Sequence, residues 1–454
     1  MKILLGTTDA AFRSLIREAT GRFGFTWTDA EDGLTAFHLL MQESFDLVII
    51  DFELPPTTAP DLLQRLSGLR SVDIPPAIVL THSDRQRTQM EAAELSDAEV
   101  LSAPAPPRLL VERMVRILRK QMRVACVGGG TGLFTLLSGL KTIPGLHLSS
   151  IVSMSDDGGS TGRLRDRFGI LPPGDVRRSL IALSGAPHLL NQLMQYRFVR
   201  GEELEGHNLG NLMLTALSEM RGSMAAAVGA LGEILSIQGE VIPATDTDTT
   251  LFARLGNGSV IEGENRIDVY EAADRDARIE RLWCTPHATA NRDALRALGE
   301  ADLIILGPGD LFTSLISNLV IEGIPEAIRA SGATKVFVCN VMTEPGETCD
   351  FSLFDHVREL LRYLDDDCLD YVLTSRTSFS ADALSYYAER SQFPVIEREG
   401  ERLSELTRAR IVRADVASES SLVRHDSLKL AVAMRELLEQ TAKGGNALSK
   451  SLNA

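Results

Sequence analysis

Two stretches of the chain share the same order of an apolar run, a glycine-rich loop and a helical pattern. The first starts at Val124 and passes through the loop Gly128–Gly132; the second starts at Ala301 and passes through Gly307–Gly309. A buried strand that leads through glycines into a helix is the repeating unit of parallel α/β sheets. Because the carboxyl ends of parallel strands meet at one edge, we expect both loops to lie on the same ligand-binding edge.

The chain is long enough for two domains. Its 454 residues exceed the usual size of a single hydrophobic core. Short apolar runs also alternate with helical patterns in residues 1–120, which predicts a doubly wound parallel sheet there. We therefore predict a first α/β domain over residues 1–120 and a larger α/β domain over residues 121–440. Residues 441–454 lack apolar periodicity and are predicted to be a disordered tail.

Charge and cysteine usage exclude several classes of function. The formal net charge is -16, and sequence-independent binding to nucleic acid or anionic lipid needs a basic surface instead. The five cysteines form no CxxC pair, which favours a reducing compartment. No apolar run reaches the roughly 20 residues that a membrane-spanning helix needs. We therefore expect a cytoplasmic protein without membrane insertion or nucleic-acid partners.

The first 120 residues resemble a response-regulator receiver domain. Asp51 ends a buried run at the position of the phospho-accepting aspartate, and Thr81 stands at the position of the hydroxyl that senses phosphorylation. Receivers have two acidic Mg²⁺ ligands where this chain has Thr7 and Thr8, and a lysine where it has Ala103. Phosphoryl transfer needs the metal. The resemblance therefore implies a pseudo-receiver that packs, dimerises or docks a partner, with phosphorylation of Asp51 as the alternative.

An acidic pair follows the next strand of the larger domain. Asp156 and Asp157 come directly after the apolar run Leu146–Met154, with Gly158 behind them and Arg163 in the following helical segment. At the carboxyl end of a strand, such a pair can accept ribose hydroxyls or hold Mg²⁺. The alternative is an Asp-Gly turn with a surface arginine.

Further polar residues occur at predicted strand ends and helix starts. Asn211 lies in a first helical turn, Thr313 follows the second glycine loop, and Asn340 ends another strand. Asp175 and Asp310 can act as helix caps, and Asn340 can satisfy the backbone of its turn. The predicted ligand-binding residues from these motifs are Gly128, Gly129, Gly130, Thr131, Gly132, Asp156, Asp157, Gly158, Arg163, Asn211, Gly307, Pro308, Gly309, Thr313 and Asn340.

The larger domain resembles YvcK-type proteins, the gluconeogenesis factors of the CofD-like superfamily. The motifs GGGTGL, DDGGSTGRLR, LPPGD, QYRF, HNLGN, LGPGDLFTS, NVMTEPGET and VRHD stand in the order of that family. The resemblance implies a Rossmann-like domain that binds UDP-sugars such as UDP-N-acetylglucosamine and supports cell shape and envelope precursor supply. It also implies a regulatory protein partner, with a homodimer as an open alternative.

The same resemblance assigns two ligand-binding residues near the end of the chain. They are Arg424, in VRHD, and Tyr387, with Tyr386 one position away. The related CofD enzymes, 2-phospho-L-lactate transferases of coenzyme F420 synthesis, hold a divalent metal with an aspartate at the position of Asp157 or its neighbour. One departure is Asp310, where the family usually has serine; a carboxylate there would repel a phosphate.

Three functions compete on this basis. The first is a UDP-sugar-binding regulator without catalysis, and the second is a CofD-like transferase that acts on a nucleotide donor with Mg²⁺. The third is an NAD-dependent dehydrogenase, but Leu133 replaces the third glycine of the dinucleotide fingerprint. We therefore expect a UDP-sugar ligand, with Mg²⁺ as the candidate metal and no cofactor assigned with certainty.

Overall fold

The computed structural model of the chain describes residues 1–21, 24–67, 75–93, 98–118, 122–268, 278–398, 402–418 and 422–443. These residues form two compact units, whose boundary in the chain lies at residues 120 and 121. Within the described ranges, no helix combines the length and the apolar character that crossing a membrane requires. Residues 441–443 of the predicted tail belong to the last helix, and its remainder lies outside the described residues.

The smaller unit is a five-stranded parallel sheet in the order β2-β1-β3-β6-β7, with apolar cores on both faces. This is the doubly wound order 2-1-3-4-5, with a short hairpin inserted after β3. Its elements are β1 (Lys2–Gly6), α1 (Ala10–Thr20), β2 (Thr26–Ala30), α2 (Gly33–Gln42), β3 (Leu47–Asp51), β4 (Glu53–Leu54), β5 (Thr57–Thr58), α3 (Ala59–Ser67), β6 (Ala77–Thr81), α4 (Asp84–Ala92), β7 (Ala98–Ser102) and α5 (Pro107–Leu118).

The larger unit begins with β8 (Met122–Gly128) and ends with α19 (Ser427–Lys443). Between them lie α6 (Gly130–Leu140), β9 (Leu146–Val152), α7 (Gly159–Phe168), α8 (Gly174–Leu183), α9 (His188–Gln195), α10 (Leu209–Arg221), α11 (Met224–Leu235), β10 (Glu240–Pro243), β11 (Thr250–Leu255), β12 (Val260–Glu262), α12 (Glu264–Asp268), β13 (Ile279–Thr285), α13 (Arg292–Glu300), β14 (Leu303–Leu306), a π-helix (Leu311–Ile316), α14 (Ser317–Leu319), α15 (Ile324–Ala330), β15 (Thr334–Val338), α16 (Leu353–Leu364), β16 (Tyr371–Ser375), α17 (Ala381–Ala388), α18 (Leu403–Leu406), β17 (Arg410–Ala414), β18 (Ala417–Ser418) and β19 (Arg424–His425).

A seven-stranded parallel sheet forms the centre of the larger unit, in the order β10-β9-β8-β14-β15-β16-β17. The chain moves from β8 outward to β10 on one side, and from β14 outward to β17 on the other. The strand order therefore reverses between β8 and β14, whose register pairs Val124 with Leu303 and Val127 with Leu306. Open α/β sheets bind ligands at the carboxyl end of such a reversal. Both glycine loops lie there, which confirms the predicted fold class.

Several features of the fold were not identified from the sequence. They include the edge strands β2, β10 and β17, the antiparallel sheet β12-β11-β13, which is inserted between β10 and β14, and the hairpins β4-β5 and β18-β19. The edge strand β2 reads TWTDA, with a single buried residue in five. Edge strands are covered on fewer sides and so need no long apolar run. Apolar runs in the sequence therefore indicated the central strands better than the edges.

Candidate ligand-binding cleft

A cleft of about 590 Å³ opens at the reversal between β8 and β14. It is enclosed by the loops after the central strands and by the C-terminal hairpin of β18 and β19. The predicted residues that line it are Gly130, Thr131, Gly132, Asp156, Gly158, Asn211, Pro308, Gly309, Asn340 and Arg424. The structure therefore brings together residues separated by almost 300 positions in the chain.

Seven predicted residues do not line this cleft: Gly128, Gly129, Asp157, Arg163, Gly307, Thr313 and Tyr387. The Asp157 carboxylate accepts the backbone N–H of Asn265 (2.8 Å). The Arg163 guanidinium donates from two nitrogens to the carbonyl of Glu205, each at 3.0 Å. These two side chains therefore stabilise neighbouring loops, and Asp156 is the member of the acidic pair that faces the cleft.

The first glycine loop holds a carboxylate of the chain itself. The N–H of Gly130, at the start of α6, donates to Asp175 Oδ2 (3.0 Å). A Cβ on Gly129 would lie 2.6 Å from the same oxygen, so the glycine is needed for this approach. Asp175 was considered as the cap of α8, but the N-cap residue there is Pro173. Asp175 occupies the position that the sequence suggested for a phosphate.

The second glycine loop is filled in the same way. The side chain of Glu347 is buried and accepts the N–H of Phe312 (2.7 Å) and the N–H and hydroxyl of Thr313, at the start of the π-helix. Asp310 stands at the N-cap position but makes no side-chain capping bond. Burial, followed by the charge of Asp310, raises the pKa of Glu347 to about 8. The free N–H groups of this helix start are therefore satisfied from within the chain.

Carboxyl groups dominate the glycine side of the cleft. Six of them are among its lining residues: Asp156, Asp175, Glu264, Asp268, Asp310 and Glu344. Burial, with the charges of Asp156 and Asp175, raises the pKa of Glu264 to about 10. Burial and Asp310 raise the pKa of Glu344 to about 7. Crowded, partly desolvated carboxyl groups hold protons because each charge disfavours the next.

Three arginines also line the cleft. Arg177 and Arg178 lie on α8, and Arg197 follows α9. Arg178 forms an ion pair with Asp175 (2.9 Å). Burial, followed by the charges of Arg178 and Arg197, lowers the pKa of Arg177 to about 10. The cleft therefore holds a group of cations in contact with its carboxyl groups.

Tyr387 lies beneath the cleft and supports the hairpin that carries Arg424. Its side chain is buried with Val341, Met342, Ala417 and Val423. Its hydroxyl accepts the N–H of Val423 (2.8 Å), the residue before Arg424. The neighbouring tyrosine at position 386 is exposed, and a guanidinium lies 3.6 Å from its ring centre. The resemblance assigned a ligand contact to Tyr387, whereas the structure places it behind the backbone of the hairpin.

The candidate phosphorylation site of the smaller unit has different neighbours from those of a receiver. The hydroxyl of Thr7 donates to the Asp51 carboxylate, and the imidazole Nε2 of His82 lies 3.7 Å from it. The carboxylate of Asp9 caps α1 by accepting the N–H groups of the next turn. Burial raises the pKa of Asp51. Asp9, the acidic residue nearest in sequence to the positions of the receiver Mg²⁺ ligands, is therefore occupied in capping α1.

The carboxyl groups of the cleft are compatible with Mg²⁺ only in part. Within the described ranges, no three histidine, cysteine, aspartate or glutamate side chains are arranged to hold a metal ion by themselves. Asp156 and Asp175 both face the cleft, and burial together with Asp175 raises the pKa of Asp156. Mg²⁺ is commonly held by one or two carboxylates together with ligand phosphates. These two residues fit that donor set, whereas Asp157 does not face the cleft.

Several lining residues were missed by motif analysis because of their places in the chain. Glu264 and Asp268 lie on α12, and Glu344 lies in the loop after β15. Glu344 and Arg197 lie within the quoted motifs NVMTEPGET and QYRF, and Arg178 follows LPPGD, but none of them had an assigned role. Their charge was visible in the sequence, whereas their proximity arises only when these distant segments fold around one cleft.

The fold and the cleft define the class of protein: a CofD-like α/β protein with an N-terminal receiver domain. The family model for 2-phospho-L-lactate transferase CofD matches residues 124–417, and that for the response regulator receiver domain matches residues 3–115. The larger unit also resembles the crystal structure of a UPF0052-family protein from Bacillus halodurans, with a TM-score of 0.65 and 37% identity. That likeness covers 70% of this chain and 99% of the other.

Two curated relatives give the family its name. The gluconeogenesis factor of Halalkalibacterium halodurans is 38% identical over 318 residues, which cover 70% of this chain and 97% of the relative. The gluconeogenesis factor of Bacillus subtilis is 37% identical over 319 residues, which cover 70% and 98%. The chain belongs to the gluconeogenesis factor family of CofD-like proteins, as the motifs predicted.

Proposed function

We propose that the larger unit binds a UDP-sugar of the UDP-N-acetylglucosamine type and acts as a regulator of envelope precursor supply and cell shape. The observation that carries this proposal is the cleft at the strand reversal, with Arg424 brought to its rim by the C-terminal hairpin. The cleft volume of about 590 Å³ lies within the range of small-molecule sites. Arginine, asparagine and carboxyl side chains suit a ligand with phosphates, hydroxyls and a base.

A ligand titration of the full chain tests this function. UDP-N-acetylglucosamine at about 100 times its dissociation constant should add about 2.7 kcal/mol to the free energy of unfolding, a rise of a few degrees in Tm. The variant Arg424→Ala should lose the saturable rise, whereas NAD should produce none. A rise with NAD alone, or no rise with the UDP-sugar, would contradict the proposal.

The second candidate is a Mg²⁺-dependent transferase that acts on a nucleotide donor. It is favoured by Asp156 and Asp175, two carboxylates that face the same cleft. When bound there, Mg²⁺ would neutralise negative charge on the donor phosphates. Incubation with Mg²⁺, a nucleotide-linked phospholactate donor and an alcohol acceptor would then transfer the phospholactyl group to the acceptor hydroxyl and release the nucleoside monophosphate. The variant Asp156→Asn would not catalyse this transfer. Saturable binding of the UDP-sugar without any such release favours the regulator.

The receiver-like unit supplies the output in this proposal. Ligand binding would order the hairpin at Arg424, and the smaller unit would pass the signal to a regulatory partner or a second copy of the chain. A solved relative consists almost entirely of the equivalent of the larger unit. The larger unit of this chain is therefore suited to study without residues 1–118. Deletion of residues 1–118 should change partner binding or oligomeric state while ligand binding is retained. No change in either property would contradict the coupling.

A further inference from the structure

Arg177 is a buried cation with incomplete hydrogen bonding. It lines the cleft, yet its side chain is among the buried ones, with 8% of the residue exposed. Its Nε has no hydrogen-bond partner among the described residues, and its guanidinium donates one long bond, to the carbonyl of Met194 (3.4 Å). Leaving a buried donor unpaired is costly. An anionic acceptor from outside the chain would satisfy it.

A second buried polar group with a free atom lines the same cleft. Asn211 is 2% exposed; its amide nitrogen donates to Ser160 Oγ (3.3 Å), and its Oδ1 has no partner within the described structure. An amide oxygen accepts hydrogen bonds, so it suits a hydroxyl group of a ligand. The cleft therefore offers a free donor and a free acceptor, both buried. This combination fits a ligand with a phosphate and a hydroxyl.

The glycine loops are poor alternatives for the phosphate. The N–H of Gly130 is already bonded to Asp175, and those of Phe312 and Thr313 to Glu347. A phosphate there would have to displace the carboxyl group of Asp175 or Glu347 from these N–H groups. The arginines contact this wall, because Arg178 pairs with Asp175 (2.9 Å), but within the described part of the chain the Nε of Arg177 is still free to donate. The free donor therefore makes the arginine group the better candidate for the phosphate.

We propose that Arg177, Arg178 and Arg197 form the subsite for the diphosphate group of the ligand, with the glycine loops contacting an uncharged part. The planar guanidinium binds phosphate oxygens in pairs, and three of them can share the charge of a diphosphate. This assignment rests on the proposed UDP-sugar function for the identity of the ligand. The diphosphate subsite itself rests on the arginines and their free donor.

Isothermal titration of the full chain with inorganic pyrophosphate and with UDP-N-acetylglucosamine tests the subsite. Arg197 is exposed and its guanidinium donates to the carbonyl of Gly206 (2.6 Å), so the folding of Arg197→Gln is checked by thermal unfolding. This variant should weaken both ligands by about tenfold or more, the equivalent of one charge-assisted hydrogen bond. Arg177→Gln should weaken both further, with thermal unfolding as a check on its folding. Arg200→Gln is the matched control: it is an exposed arginine three positions on that does not line the cleft, and it should bind as wild type.

The outcomes separate the subsite from the proposed function. Pyrophosphate binding that depends on Arg197, without UDP-sugar binding, would support the subsite and overturn the UDP-sugar proposal. UDP-sugar binding that is unchanged in Arg197→Gln and in folded Arg177→Gln would overturn the subsite and leave the function intact. Loss of pyrophosphate binding in Arg424→Gln but not in Arg197→Gln would also overturn the subsite, because it would place the phosphates at the hairpin.

Discussion

The hydroxyl of Tyr387 connects α17 to the segment that carries Arg424. It accepts the N–H of Val423 at 2.8 Å, in a cluster where both residues are buried. In this place the hydroxyl holds the backbone of the residue before Arg424. The Tyr387 side chain therefore contributes to the site by holding the backbone next to Arg424 in place.

Replacement of Tyr387 by phenylalanine should lower stability. The ring would keep its packing, but the buried N–H of Val423 would lose its acceptor, at a cost of about 1–3 kcal/mol. Urea unfolding would measure the change. The control is Tyr386→Phe, because that side chain is exposed and should change stability by less than about 0.5 kcal/mol. Equal stability of Tyr387→Phe and wild type would contradict the positioning role.

The C-terminal helix α19 and α6 approach each other closely at a glycine. A Cβ on Gly139, in α6, would lie 2.1 Å from the carbonyl oxygen of Ser427, the first residue of α19. The helix α19 starts two residues after His425. The packing of α19 against α6 therefore also fixes the end of the hairpin that carries Arg424. Helix packing and the geometry of the cleft are therefore coupled at this contact.

Two helical glycines should respond in opposite ways to alanine. Gly139→Ala should destabilise the larger unit by about 1–3 kcal/mol, since the methyl group has no room. Gly229→Ala, within α11, has nothing within 4 Å of the new Cβ and should raise stability by up to about 1 kcal/mol. Denaturant unfolding of both variants measures the pair. Stabilisation by both substitutions would show that α19 adjusts easily.

At the scale of the whole molecule, the carboxyl groups that line the cleft or lie buried beside it make stability depend on pH. The pKa of Glu347 is raised to about 8 and that of Glu264 to about 10, against about 4.3 in an unfolded chain. The folded protein therefore holds more protons than the unfolded chain in this range. The stabilisation from a raised pKa is complete below about pH 4 and is lost as pH rises through the folded value.

The free energy of unfolding should thus fall when pH is raised from about 7 to about 8.5. Buried His356 and His425, whose pKa values are lowered to about 4, act in the opposite direction only below about pH 6.5. Urea unfolding at several pH values, without ligand or Mg²⁺, measures the slope. Glu264→Gln should flatten it. A stability that rises over this interval would contradict protonated carboxyl groups in the folded cleft.

The smaller unit should not accept a phosphate. Thr7 donates to Asp51 where a receiver would have a metal ligand, and Asp9 is occupied in capping α1. Incubation of the full chain with Mg²⁺ and acetyl phosphate should leave the intact mass unchanged. The positive control replaces Thr7 and Thr8 by acidic residues and Ala103 by lysine, which should allow some modification. An added phosphate on wild type that is lost in Asp51→Asn would contradict this prediction.

The sequence by itself determined the parallel α/β class, the central strands and the family. Buried strands need continuous apolar runs and glycine loops need particular residue types, so both are local in the sequence. The meeting of Gly130, Asp156, Gly309 and Asn340 at one cleft also followed from the rule that parallel strands share their carboxyl edge. The edge strands β2 and β17 carried too little apolar pattern to be recognised.

Only the tertiary structure decided which side chains occupy the glycine loops and which face the cleft. Asp175 and Glu347 lie 45 and 34 or 35 positions from the N–H groups that they accept, and no local pattern encodes such a pairing. The same holds for Tyr387 and for the arginines of α8 and α9. Motifs state which residue types are available, whereas charge pairing and burial depend on distances that arise when distant segments pack together.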